Sequence, residues 1–146
     1  MKKLTLSLVT ICALLQAGAE ESQWLTDLPK AQAQATKENK LVFVDFNGSD
    51  WCMPCMELRK VLSTPEFANY AKTNLILVDI DFPKRKPQSE ALKKANEALS
   101  EKYKVEAFPT TIVLSGSGRE LSRDVGFDGK SAKELIADLE KLKKKT

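Results

Sequence analysis

The chain has 146 residues, 42% of them apolar, with no long low-complexity tract, which suits one compact domain large enough to bury its own core. Its 23 basic and 20 acidic residues leave a formal charge of +3. No arginine-rich or aromatic-interleaved basic face stands out, so composition argues against a nucleic-acid partner.

Residues 1–19 read as an export signal: Lys2 and Lys3 form a positive start, an apolar run follows from Leu4 to Leu15, and Ala17-Gly18-Ala19 supplies a cleavage site. An apolar stretch of about a dozen residues is short for a bilayer span, and no other segment approaches the ~18 apolar residues of a transmembrane helix. The expectation is a single domain over residues 20–146, exported to the periplasm or secreted, with no stable membrane insertion after cleavage. Cys12 leaves with the signal, so of three cysteines only Cys52 and Cys55 remain.

Asp27 before Leu28-Pro29 is a cap followed by a first-turn proline, and predicts a surface helix through about Glu38. Residues 41–46, Leu-Val-Phe-Val-Asp-Phe, predict a strand buried on both faces, with Asp45 as its anomaly. Asn47-Gly48-Ser49-Asp50 supplies turn chemistry before Trp51-Cys52-Met53-Pro54-Cys55. Beyond it, Met56, Leu58, Val61 and Leu62 recur at helical spacing, and Ser63-Thr64-Pro65 interrupts the pattern before Phe67 and Tyr70 resume it. Residues 75–80 predict a second buried strand. Pro83-Lys84-Arg85-Lys86-Pro87 is a basic loop, and Ser89-Glu90 opens a helix through Ala91, Leu92, Ala95, Leu99 and Tyr103. Residues 110–114 and 121–125, joined by Gly116-Ser117-Gly118, predict an antiparallel hairpin, and a last helix carries Leu135, Ile136, Leu139 and Leu142. Alternating strands and helices predict an α/β fold whose mixed sheet is mostly parallel, with an antiparallel hairpin edge and helices on both faces.

Two thiols two residues apart can close a disulfide, clamp a soft metal or brace a fold. Bracing is disfavoured, because a bridge over two residues closes almost no loop. The sulfurs of Cys52, Met53, Cys55 and Met56 suit Cu(I), whereas zinc normally takes four Cys or His ligands and the chain has no histidine.

The set Val44-Asp45-Phe46, Trp51-Cys52-Met53-Pro54-Cys55, Phe108-Pro109-Thr110 and Val125-Gly126, in that order, resembles the thioredoxin superfamily in its exported bacterial form. The resemblance implies a thioredoxin-like fold and a protein thiol–disulfide oxidoreductase whose only redox group is the Cys52–Cys55 couple, with no other cofactor and no metal. Cys52 is then the attacking thiolate at a helix N-terminus, Cys55 the resolving thiol, and Asp45 the proton relay. Pro109 matches the family's cis-proline. Trp51, Phe108, Thr110 and Gly126 join it in the substrate groove, and Met53 and Pro54 shape the site. The implied partners are disulfide-containing proteins and a membrane thiol donor, and a monomer is expected. Proline before the second cysteine tilts the reading toward reduction over isomerase or oxidase chemistry. Two departures stand out: the turn at residues 47–50 is one residue longer than the family's usual form, and apolar Leu77 replaces a lysine that often partners the buried aspartate. The alternatives from other classes are a Cu(I)-binding module and a binding protein on the same scaffold that keeps its thiols without turnover.

Overall fold

The computed structural model describes residues 24–145, so the export segment and Cys12 lie outside the described residues. Helix α1 (Leu28–Glu38) begins where the sequence signals it: the Asp27 carboxylate accepts from the Lys30 N–H at 2.9 Å, and Asn39 ends it in a left-handed conformation. Strand β1 (Leu41–Asn47) follows, then α2 (Met53–Leu62), α3 (Pro65–Asn74), β2 (Leu75–Asp81), α4 (Glu90–Lys102), β3 (Thr110–Leu114), β4 (Glu120–Val125) and α5 (Ala132–Lys143).

The interruption at residues 63–65 separates two helices. Thr64 caps α3 through its hydroxyl, and Pro65 takes the first turn, where the N–H it lacks has no helical partner. The described residues therefore hold one helix more than the periodicity alone suggests.

The four strands lie in the order β2-β1-β3-β4. The sheet is mixed and covered on both faces as expected, but its parallel share is smaller: β1–β2 is its one parallel pair, whereas β1–β3 and β3–β4 are antiparallel. The reason lies in α4. The Asn96 amide on its inner face donates to the Asp81 carbonyl at 2.9 Å, and Gln88 donates to the same oxygen at 3.0 Å. These bonds hold the crossover at the end of β2, so the chain enters β3 from the edge at which it left β2. Asn96 is accordingly buried, while Ala91 and Ala95 on the same helix are exposed.

Two cores flank the sheet, and the strand period of two assigns residues to them. Val42, Val44 and Phe46 pack with Leu28, Ala31 and Ala35 of α1. Leu41 and Phe43 join Leu58 and Leu62 of α2, Phe67 and Ala71 of α3, and Leu139 of α5. Asp45 and Asn47 fall on this second face by the same alternation, under α2. Leu25 adds a bridge beside Val78, its N–H donating to the Leu77 carbonyl at 2.9 Å and its carbonyl accepting from the Asp79 N–H at 2.8 Å, which covers the outer edge of β2.

Phe67 is fully buried and meets Phe43 edge-on at 5.9 Å between ring centroids. Phe67→Ala should cost about 3–5 kcal/mol, read as a lower urea midpoint at an unchanged m-value.

Candidate active site

The turn after β1 delivers the cysteines. Ser49 donates its N–H and hydroxyl to the two Asp81 carboxylate oxygens at 2.9 and 2.6 Å, tying the turn to the end of β2. The Trp51 indole N–H donates to the Phe82 carbonyl at 2.8 Å, and its ring meets Phe108 edge-on at 5.9 Å. A Cβ at residue 48 would overlap the indole, so this placement of Trp51 requires Gly48. Phe108 stacks on Phe82 at 5.1 Å, completing an aromatic wall on this side of the site.

Cys52 caps α2, and its sulfur accepts from the Cys55 backbone N–H at 3.3 Å. The two are joined in a disulfide with Cα atoms 5.3 Å apart. Both are buried, Cys52 at 5% and Cys55 at 3% exposure, so the expected contrast in access between them is small in the oxidised state. Met53 and Pro54 between them are exposed.

The other expected groove residues come together at the start of β3 and the end of β4. The Phe108–Pro109 peptide is cis, and the Pro109 carbonyl accepts from the Gly126 N–H at 2.7 Å. Gly126 has φ +81°, a left-handed conformation that favours glycine. Thr110, expected in the groove, is buried, and its hydroxyl donates to the Ala107 carbonyl at 2.8 Å. It shapes the proline turn from beneath instead of lining the groove. Met53 at 65% and Val125 at 63% are the exposed large apolar side chains among the described residues.

Asp45 is 1% exposed and belongs to a network that sequence reasoning resolved only in part. The β1–β2 register sets it beside Asp79. One Arg59 nitrogen donates to Asp45 at 3.0 Å and to Asp79 at 2.9 Å, and the Asn47 amide reaches the same two carboxylates at 3.3 and 2.7 Å. Arg59, one helical turn beyond Cys55 on α2, supplies the cation that Leu77 does not. Its guanidinium lies 4.1 Å from the Trp24 ring centroid. The second Asp45 oxygen has no hydrogen-bond partner. Burial raises the Asp45 carboxyl to about 7; Arg59 pulls it down, and Asp79 and Asp81 push it up. Asn47, Cys55, Met56 and Arg59 share the wall of a cleft of about 290 Å³, which connects this network to Cys55.

Asp50 was not singled out by the sequence. Its carboxylate accepts from the backbone N–H groups of Lys84, Arg85 and Lys86 at 2.9, 2.7 and 2.9 Å, and these bonds lower it to about 2. A backbone donor leaves no mark in residue type, and the basic loop alone did not predict its anchor.

The Asp45 carboxyl holds its proton to about 7 in the folded chain but to about 3.8 when unperturbed. The folded protein therefore binds more protons across that window, and its stability falls as pH rises through it. Asp45→Asn should remove this slope: urea midpoints of wild type and variant diverge between pH about 4 and about 8, the variant gaining up to a few kcal/mol relative to wild type at the upper end.

A family model for a thioredoxin-like domain matches residues 28–143. The thioredoxin-related protein DsbJ of Chlamydia pneumoniae is 36% identical over 134 residues, which are 90% of this chain and 38% of that protein. The disulfide bond reductase DsbH of the same organism is 32% identical over 112 residues, 76% of this chain and 66% of that protein. The chain thus spans less than two thirds of the length of these curated relatives. A solved structure of a DsbH oxidoreductase superposes with a TM-score of 0.78 at 27% identity, covering 98% of this chain and 95% of that one. With a Cys-x-x-Cys disulfide at the head of α2, a cis-proline before β3 and these relatives, the chain belongs to the thioredoxin superfamily and is similar within it to Dsb-type thiol–disulfide oxidoreductases.

Proposed function

We propose that the chain is a protein thiol–disulfide oxidoreductase that works as a reductase outside the cytoplasm. The observation that carries this reading is the cap of α2: the Cys55 N–H points at the Cys52 sulfur, and the helix's positive end lies behind it. Once the disulfide is reduced, both favour the thiolate at Cys52. That thiolate attacks one sulfur of a substrate disulfide, forming a mixed disulfide and expelling the other substrate sulfur as a thiolate that takes a proton from solvent. Cys55 then passes its proton to the Asp45 carboxylate, directly or through a water molecule in the cleft, and attacks Cys52. The Cys52–Cys55 disulfide forms, the substrate's second sulfur leaves and is protonated, and two electrons have moved from protein to substrate.

The groove fits an extended substrate segment. Pro109 and Gly126 are bonded to each other through the backbone, Trp51 and Phe108 form an aromatic wall next to Cys52, Met53 and Val125 present apolar surface, and the Thr110 hydroxyl braces the proline turn. Pro54 ahead of Cys55 and the similarity to a protein named as a disulfide bond reductase favour reduction. The export signal read in residues 1–19 supports the location, and a reductase there needs recharging, for which a membrane thiol carrier is the partner in this reading.

With dithiothreitol as electron source, the protein should reduce a protein disulfide. Cys52→Ser should lose at least about a hundredfold in rate, and Cys55→Ala should accumulate the mixed disulfide; full turnover by Cys52→Ser would sink the assignment. The couple's potential should lie near the about −270 mV of thioredoxin, and a value near or above the about −180 mV of disulfide isomerase would reverse the direction.

The proton step makes a second prediction. Removing the cation in Arg59→Gln should move the pH midpoint of the resolving step up, and removing the neighbouring carboxylate in Asp79→Asn should move it down. Rapid-mixing measurement of mixed-disulfide decay against pH reads both. Shifts of the same sign, or none, would take Asp45 out of the proton path.

A further inference from the structure

Beside the aromatic wall runs the loop of residues 83–87, and its attachment differs from that of an ordinary solvated connection. Asp50, the residue immediately before Trp51, receives three consecutive backbone N–H groups of this loop on its carboxylate. The Asp50 carbonyl also accepts from the Arg85 guanidinium. Lys86 donates its ammonium to the Ser49 hydroxyl at 3.1 Å, and the Lys84 ammonium lies 4.0 Å from the Trp51 ring centroid. The turn that carries the cysteines thus holds three exposed cations on its own flank.

Their charge is not used up locally. Among the described residues, none of Lys84, Arg85 and Lys86 forms a side-chain ion pair with a carboxylate. The Asp50 carboxylate accepts backbone N–H groups of the loop, and the Asp81 carboxylate accepts from Ser49. A loop whose purpose is closure needs neither this density of cations nor an anchor at the residue next to Trp51. Lys84 over the Trp51 face gives the ring, itself a wall of the groove, a positively charged edge.

We propose that this loop is a cationic lip of the redox groove, and that preferred substrates are proteins carrying Asp or Glu in the segment that flanks the reducible disulfide on the Trp51 side. The inference rests on the oxidoreductase reading and names its substrate class. A substrate carboxylate reaching this lip meets exposed, solvated ammonium and guanidinium groups, so the gain falls mainly on the rate of encounter and is sensitive to salt.

The test uses three synthetic peptides with the same disulfide loop, flanked by Glu, Gln or Lys, and the protein pre-reduced with dithiothreitol. In low salt the Glu peptide should be reduced faster than the Gln peptide by on the order of tenfold, with the Lys peptide slowest. At about 0.5 M salt the three rates should converge. Lys84→Gln/Arg85→Gln/Lys86→Gln should bring the Glu-to-Gln ratio near one, while Lys84→Arg/Lys86→Arg keeps it. Reduction of all three peptides at equal rates, or a ratio that survives the triple substitution, overturns the cationic lip and leaves the oxidoreductase reading standing. Failure to reduce any peptide overturns that reading, and the lip's substrate role with it.

Discussion

Two carboxylates set side by side in a sheet must share a cation or a proton, and much of this site follows from that requirement. The parallel register of β1 and β2 pairs Asp45 with Asp79, and the strand alternation turns both toward α2. In a buried setting two such charges repel strongly and lose hydration, so one arginine from the covering helix becomes the inexpensive solution. Arg59 bonds to both carboxylates, and Asn47 bonds to both from β1. This fixes the rotation of α2 about its axis. Cys55, one turn earlier on the same helix, is thereby held on the side of buried Asp45 and half-buried Asp79, and Cys52 is left at the helix's positive end.

The elements near the cysteines were legible because each carries a local cause. Asp27 and Ser89 cap helices with side chains whose type announces the cap, and the apolar runs of β1 and β2 exceed what a half-exposed strand would show. Strand direction was less legible. An alternation of helices and strands is compatible with either entry edge for β3, and the choice rests on the Asn96 and Gln88 bonds to one carbonyl, which no periodicity encodes. The second helix after the cysteines was hidden for a related reason: Pro65 reads equally as an interruption or as a beginning, and only the Thr64 cap decides.

Within the site, residues with distinctive chemistry were found and residues with a conditional role were missed. A carboxylate in an apolar strand is conspicuous, so Asp45 stood out. Arg59 did not, since an arginine on an amphipathic helix is ordinarily a solvated one, and its function depends on a register that pairs Asp45 with Asp79 across 34 positions of sequence. The absence of a lysine at position 77 was the one available signal. It showed that the cation implied by the resemblance was missing but not that another element supplied it.

The turn before Trp51 has a comparable logic. Ordering residues 47–50 costs conformational entropy, which calls for a compensating interaction. Asp50 provides one by accepting three N–H groups from a loop more than thirty residues away, a contact that orders both segments together. The anchored loop could have carried any polar residues, because the bonds run through its backbone. That it carries Lys84, Arg85 and Lys86, with one ammonium against the Trp51 ring, separates the structural role of the backbone from the role left to the side chains: the first holds the turn in place, and the second sets the charge that an approaching disulfide meets.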